Sequence, residues 1–235
     1  MKRIAMGILQ GNGLSVLDRG REFLTCLFAS LVFVASQALC ADAALIAQNG
    51  NTHGAPACVT CHGVRGEGLP GSGFPHLAGL DGNYLLNQLN AFASGRRNQP
   101  MMTPIAQTLT GEERIALARY YGAMSRSRRA ASPASVDNVG AKLALKGRWS
   151  DGLPACVQCH GATGAGVGAV FPALAGQSAH YIETQLRKWQ QDARPPGPMG
   201  LMKVVASKLS PVDIRAVAGY FAALPPPAPD TTRKP

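Results

Sequence analysis

Two pentapeptides, Cys58-Val59-Thr60-Cys61-His62 and Cys156-Val157-Gln158-Cys159-His160, constrain this chain more than any other feature. A C-x-x-C-H run is the attachment pattern of c-type haem. Its two thiols add to the two vinyl groups of one haem, and the histidine that follows becomes an axial ligand of the iron. The cysteines must reach neighbouring pyrrole rings while the imidazole points at the metal. Helical backbone across the five residues meets both demands. C-x-x-C alone also serves zinc sites and dithiol redox centres. A four-cysteine zinc site, however, would leave both histidines without a use and would join halves that begin as far apart as residues 58 and 156. The spacing predicts two covalently bound haem c groups, attached through Cys58, Cys61, Cys156 and Cys159, with His62 and His160 on the irons.

What surrounds each copy repeats as well. Phe74-Pro75-His76-Leu77-Ala78-Gly79 matches Phe171-Pro172-Ala173-Leu174-Ala175-Gly176, Tyr84 with Gln88-Leu89 matches Tyr181 with Gln185-Leu186, and residues 110–124 match 210–224. Internal duplication is the simplest account. It predicts an all-α chain of two tandem modules, 43–125 and 139–225, joined by a polar linker at 126–138 that reads as a solvated connector. Each module reads as a short helix before the motif (141–146 in the second copy), a middle helix from about Asn83 or Ala179, and a last helix. Thr110 with Glu113 forms a capping box for that last helix, and Ser210 with Pro211 supplies a cap and an N1 proline in the second copy. Leu117, Tyr120, Tyr121 and Met124, and likewise Val217, Tyr220, Phe221 and Leu224, recur at helical spacing and read as core.

A haem with one histidine still has an open iron position, and its occupant decides what the iron does. Methionine opposite histidine leaves a six-coordinate electron-transfer iron and favours the ferrous state. The repeat arbitrates among the candidates. Met102 aligns with Met202, each four residues before an alanine, whereas Met101, Met124 and Met199 align with no methionine. The repeat therefore predicts Met102 and Met202 as the second axial ligands. The Pro75 and Pro172 carbonyls are candidates to accept the Nδ1 proton of His62 and His160. Arg97 aligns with Arg194, and both are candidates for haem propionate contacts. Tyr84 and Tyr181 would reach a propionate or the other module. His53, His76 and His180 have no matching partner and read as surface or loop residues.

Residues 23–39 are an apolar run preceded by Arg19 and Arg21, the pattern of a secretory signal, so residues 1–40 read as a signal segment. Cleavage fits after Cys40 or after Ala43; an uncleaved anchor is the second reading. Cys26 and Cys40 lie in this segment, which leaves no spare cysteine in the folded body. Bacterial attachment of haem to C-x-x-C-H occurs outside the cytoplasm, which predicts a periplasmic protein. The formal charge is +10, and residues 1–40 hold Lys2, Arg3, Arg19 and Arg21 against Asp18 and Glu22, so the body keeps +8. Such a charge steers towards acidic partners or an anionic membrane face. No aromatic-interleaved basic patch points to nucleic acid. The proline-rich 226–235 reads as a disordered tail.

The two C-x-x-C-H motifs, each followed by F-P-x-L-A-G, Y-x-x-x-Q-L, an arginine, a methionine and a capped helix, resemble the dihaem cytochrome c4 family of class I c-type cytochromes. The resemblance spans both modules. It implies two cytochrome c-like domains facing each other across a pseudo-twofold interface, and a periplasmic electron carrier of a respiratory chain, often peripheral to the inner membrane. The implied partners are donor and acceptor proteins such as a quinol-oxidising complex, a terminal oxidase or a dehydrogenase. On this reading the chain is no enzyme. The alternatives are the electron-accepting subunit of a periplasmic dehydrogenase and, behind it, a dihaem enzyme such as a peroxidase or thiosulfate dehydrogenase. One departure is local: the second ligand loop, with Pro195, Pro196 and Pro198, is three residues longer than the first.

Overall fold

A computed structural model of the chain describes residues 42–126 and 138–226. The signal segment, most of the linker and all but the first residue of the tail lie outside the described residues. Within them the protein is helical, with three isolated β-bridges.

Each module repeats one order of elements. In module 1 these are α1 (residues 42–49), α2 (Val59–His62), α3 (Gly82–Ala93), α4 (Met102–Gln107) and α5 (Gly111–Ala123). Module 2 supplies α6 (Asn138–Lys146), α7 (Val157–His160), α8 (Ala179–Gln190), α9 (Leu201–Ser207) and α10 (Pro211–Ala223). The starts are set by side chains that satisfy orphan N–H groups. Asp81 accepts from the Tyr84 amide at 3.0 Å to open α3, and Ser178 accepts from Tyr181 at 3.3 Å to open α8. Thr110 and Glu113 make the predicted reciprocal box on α5. Ser210 makes the same box with Asp213 on α10, with Pro211 at the first position. Here Asp213 does what Glu113 does in the first copy.

The first and last helices of module 2 cross closely. A Cβ on Gly140 of α6 would lie 2.2 Å from the Ala216 carbonyl oxygen of α10, so only glycine fits there. Module 1 builds its first helix on Ala43 and Ala47, both fully buried. Around these crossings lie two cores. Leu80, Tyr84, Leu85, Leu117 and Tyr121 belong to the first, and Leu143, Leu153, Ile182, Leu186, Ile214 and Phe221 to the second. The aromatic stripes of α5 and α10 are thus core, as their spacing predicted.

Equivalent contacts are made by unlike residues. Asn51 donates to the Thr108 carbonyl at 2.9 Å and to Glu113, tying the segment before the first motif to the cap of α5. Arg148 does this in module 2, donating to the Lys208 carbonyl at 3.0 Å and to Asp213 at 3.2 Å. The carbonyls that end α4 and the loop after it are satisfied by Arg114 of α5, which donates to Leu109 at 2.6 Å. In module 2 the donor is Gln190 of α8, reaching Ala206 at 2.9 Å and Leu209 at 2.8 Å. The same orphan acceptors are met from a different helix.

Candidate cofactor sites

The backbone of each motif is helical from its first cysteine. Cys58 has φ −63° and ψ −34°, and Cys156 φ −60° and ψ −37°, each leading into a single turn that ends on the motif histidine. The F-P-x-L-A-G segment then locks that turn to the last helix. Phe74 and Phe171 stand edge-on to His62 and His160 at 6.1 and 6.0 Å between ring centroids. The next carbonyls, of Pro75 and Pro172, accept from the histidine Nδ1 at 3.0 and 2.8 Å. The Leu77 and Ala78 amides donate to the Gly66 carbonyl, and Leu174 and Ala175 to that of Gly164. Finally Gly79 donates to the Tyr121 carbonyl at 2.8 Å and Gly176 to that of Phe221 at 2.9 Å. Every residue of the motif but the variable one thus has a mechanical task.

A carbonyl can only accept, so each Nδ1 carries the proton and Nε2 is left as the free lone pair. His62 and His160 are 7% and 6% exposed, and burial holds both below the ordinary imidazole range, overriding the proline carbonyls that pull the other way. Neutral imidazole with Nε2 unprotonated is the form that binds a metal. The cysteines show the opposite of thiolate activation. Burial raises Cys58, and Cys156 is pushed up to about 11. A dithiol redox motif lowers its nucleophile instead. Among the described residues no three His, Cys, Asp or Glu side chains gather as a metal site, so the four motif cysteines do not share a zinc ion.

The aligned methionines sit differently from their neighbours. Met102 opens α4, half-buried, with its N–H on Gln99 Oε1 at 2.6 Å. Met202 lies in the first turn of α9 against the module 2 core. Met101 is 44% exposed and Met199 is 85% exposed. The pattern called for a ligand loop; both aligned methionines instead begin short helices. The three extra residues of module 2 form a turn around Pro198–Gly200, where Met199 takes φ 53°.

Arg97 and Arg194 meet between the modules. Arg97 donates to Gln88 at 2.7 Å in its own module, then to Tyr181 at 3.0 Å and Gln185 at 2.8 Å in the other. Arg194 donates to Gln185 at 3.0 Å and across to Gln88 at 3.4 Å. Each guanidinium also lies over an aromatic ring of its own module, Phe92 at 4.5 Å and Trp189 at 4.0 Å. Burial lowers the pKa of Arg194, and Arg97 beside it adds to that. Tyr181 is acidified, because the two arginines outweigh its burial. Among the described residues no carboxylate pairs with either arginine. Two neighbouring cations under cover without an anion call for one, and haem propionates are anions of the right kind. Together with the free Nε2 lone pairs, this makes the residues present fit a pair of haems.

Other contacts bridge the modules. Gln177 is 4% exposed, accepts from the His76 amide at 2.9 Å and donates back to the His76 carbonyl at 3.0 Å. Arg126 donates to the Ala175 carbonyl at 3.2 Å, and burial pushes its pKa down to about 10. His76 is therefore a buried interface residue at 6% exposure rather than a surface one, whereas His53 and His180 are exposed. Gln88 and Gln185 were visible as repeat markers, but only the structure shows both holding both arginines. Gln177 has Leu80 as its counterpart and left no trace in the pattern.

The Cytochrome c family model matches residues 47–125 and 139–225. A thiosulfate dehydrogenase electron acceptor of Stutzerimonas stutzeri is 45% identical over 194 residues, covering 81% of this chain and 90% of that protein. Among solved structures, the thiosulfate dehydrogenase TsdBA of Marichromatium purpuratum superposes with a TM-score of 0.73 at 42% identity. That match covers 78% of this chain, which spans 40% of the longer one. Reduced recombinant cytochrome c4 from Pseudomonas stutzeri superposes with a TM-score of 0.66 at 35% identity, covering 71% of this chain and 93% of that one. Two such modules, each with its C-x-x-C-H motif, carry two covalently bound haem c groups. The chain belongs to the cytochrome c family, as a two-module electron-transfer protein of the cytochrome c4 kind.

Proposed function

We propose that this cytochrome accepts electrons from a thiosulfate-oxidising dehydrogenase and delivers them to a respiratory chain. The observation that carries the reading is the 45% identity to a thiosulfate dehydrogenase electron acceptor, against 35% to the cytochrome c4 structure. Coupling two thiosulfate ions into tetrathionate releases two electrons, one for each haem. On this reading the chain is a carrier with no catalysis of its own, exported by residues 1–40 to the periplasm. A general carrier serving an oxidase is the second reading, favoured by the 93% coverage of cytochrome c4.

The haem iron supplies a one-electron couple, and the chain's residues hold and tune it. Cys58 with Cys61, and Cys156 with Cys159, make the thioether bonds. His62 and His160, oriented by the proline carbonyls, would bind the irons through Nε2, and Met102 and Met202 would supply the second ligands. A soft thioether ligand would favour the ferrous state, and a second protein ligand would keep substrates off the iron. Arg97 and Arg194, held at the module junction by Gln88 and Gln185, would neutralise haem propionates. The lone-pair geometry at His62 and His160, the half-burial of the aligned methionines and the anion-poor arginine pair support these roles.

Stopped-flow mixing of the oxidised holoprotein with a thiosulfate dehydrogenase and thiosulfate tests the function. Both haems should reduce at a rate that depends on both the dehydrogenase and thiosulfate. Faster reduction by a quinol-oxidising complex, with none by the dehydrogenase, would favour the general carrier. A methionine–iron band in the oxidised spectrum, with intensity for two haems, tests the ligation.

A further inference from the structure

The last helices of the two modules differ at one informative position: α5 has Tyr121 where α10 has Phe221. The two rings pack alike. Each stands edge-on to the preceding tyrosine, at 5.2 Å from Tyr120 and 5.3 Å from Tyr220. Each lies on a glycine of the loop after the motif: a Cβ on Gly66 would lie 2.9 Å from Tyr121 Cδ1, and one on Gly164 3.0 Å from Phe221 Cε1. Each backbone carbonyl holds the equivalent glycine amide. The hydroxyl is the difference.

That hydroxyl is buried, on a residue 4% exposed, and has no hydrogen-bond partner of regular geometry. Tyr121 belongs to the core cluster against which the partly buried Cys58 packs, which brings the hydroxyl and the thiol close enough to interact. A buried hydroxyl left unpaired costs stability. Phe221 does the same packing without it, so the fold does not require the oxygen. A free thiol can donate as well as accept, so its own proton competes for the bond with the hydroxyl. Once the Cys58 sulfur is bonded to haem it becomes a thioether, with lone pairs and no proton.

We propose that the Tyr121 hydroxyl donates to the Cys58 thioether sulfur and so sets the haem of module 1 apart from that of module 2. The O–H dipole has its positive end at the sulfur, on the edge of the macrocycle. It favours the added electron and raises the potential of that haem, a lever of outer hydrogen bonding on haem proteins. Module 2 has a phenyl ring there and lacks the lever. Two modules of one fold thereby acquire unequal electron affinities from a single oxygen. The inference rests on haem attachment at Cys58.

Potentiometric titration of the holoprotein, with each wave assigned to its haem by NMR of the ring methyl groups, tests it in Tyr121→Phe and Phe221→Tyr. In Tyr121→Phe the module 1 potential should fall, shifting the equilibrium between the haems by about three- to tenfold, roughly 30 to 60 mV for one electron. The module 2 potential should stay, and the melting temperature should drop as the bond is lost. In Phe221→Tyr the module 2 potential should rise. Unmoved potentials with a raised melting temperature in Tyr121→Phe would show that the hydroxyl is an idle burden, and equal shifts of both waves would also overturn the proposal. Mass spectrometry of the acid-denatured protein reads attachment separately: a missing haem mass on module 1 overturns the attachment reading, not the tyrosine's part in it.

Discussion

Gln177→Leu probes how firmly the two modules are joined. The Gln177 amide holds the His76 N–H at 2.9 Å and the His76 carbonyl at 3.0 Å, and its oxygen also accepts from the Ser178 amide at 2.9 Å. Leucine fills a similar volume, and Leu80 occupies the counterpart position in module 1 at 5% exposure, so the change removes bonds without forcing a clash. Three buried backbone bonds are lost at once. At about 1–3 kcal/mol for each buried group deprived of its partner, the loss should be about 3–9 kcal/mol. Opening of the junction to water would cap the cost near the lower figure. The assay is urea unfolding of the holoprotein, followed in parallel by far-UV circular dichroism and by haem absorbance. The expected result is a loss of at least about 3 kcal/mol in the first transition, with the two probes separating if the modules part before they unfold. A loss under about 1 kcal/mol with coincident transitions would refute the reasoning, since surface substitutions routinely cost that little.

Other predictions test other parts. Burial pushes the Asp213 carboxyl up, but bonds from Arg148 and Ser210 outweigh it and hold the group below the ordinary carboxylate range. Its contribution is therefore present at neutral pH and lost as pH falls through the depressed folded value. Arg148→Gln should lower the urea midpoint at pH 7, and the gap from the parent should close as pH falls through the depressed Asp213 value; a constant gap would contradict the pairing. Met202→Ala should open the second haem to carbon monoxide while Met199→Ala should not, because Met202 packs on the core and Met199 is 85% exposed. The reverse outcome in the carbon monoxide difference spectrum would reassign the ligand. Arg97→Met should lower both haem potentials, since this cation bonds to Gln88 of one module and to Gln185 and Tyr181 of the other. A shift of one wave alone in potentiometry would argue against a shared charge.

Much of the site was legible because the chain states it twice. Motif cysteines, histidines, prolines and arginines each recur, and each recurrence marks a local geometric need: a helical turn, a carbonyl on Nδ1, a capped helix. The contacts that escaped the pattern are those where the copies diverge while the geometry persists. Asn51 and Arg148 hold the same two acceptors with different groups, and Arg114 and Gln190 satisfy the same carbonyls from different helices. An alignment of identities has no column for such pairs. The aligned methionines were legible as residues but not as helix starts, because the capping comes from Gln99 in module 1 and from the longer turn in module 2.

By itself the sequence determined two haem attachments, two helical modules and a matched set of ligand candidates, since covalent chemistry and helical periodicity are written in local spacing. How the modules meet was decided by tertiary structure alone. The arginines found each other, with Gln88, Gln185 and Tyr181 between them, and Gln177 closed on the His76 backbone, residues 101 positions apart. Burial then made those contacts matter: a hydrogen bond or a charge removed from water has no substitute partner, and which groups are so removed depends on packing that no local stretch of sequence encodes.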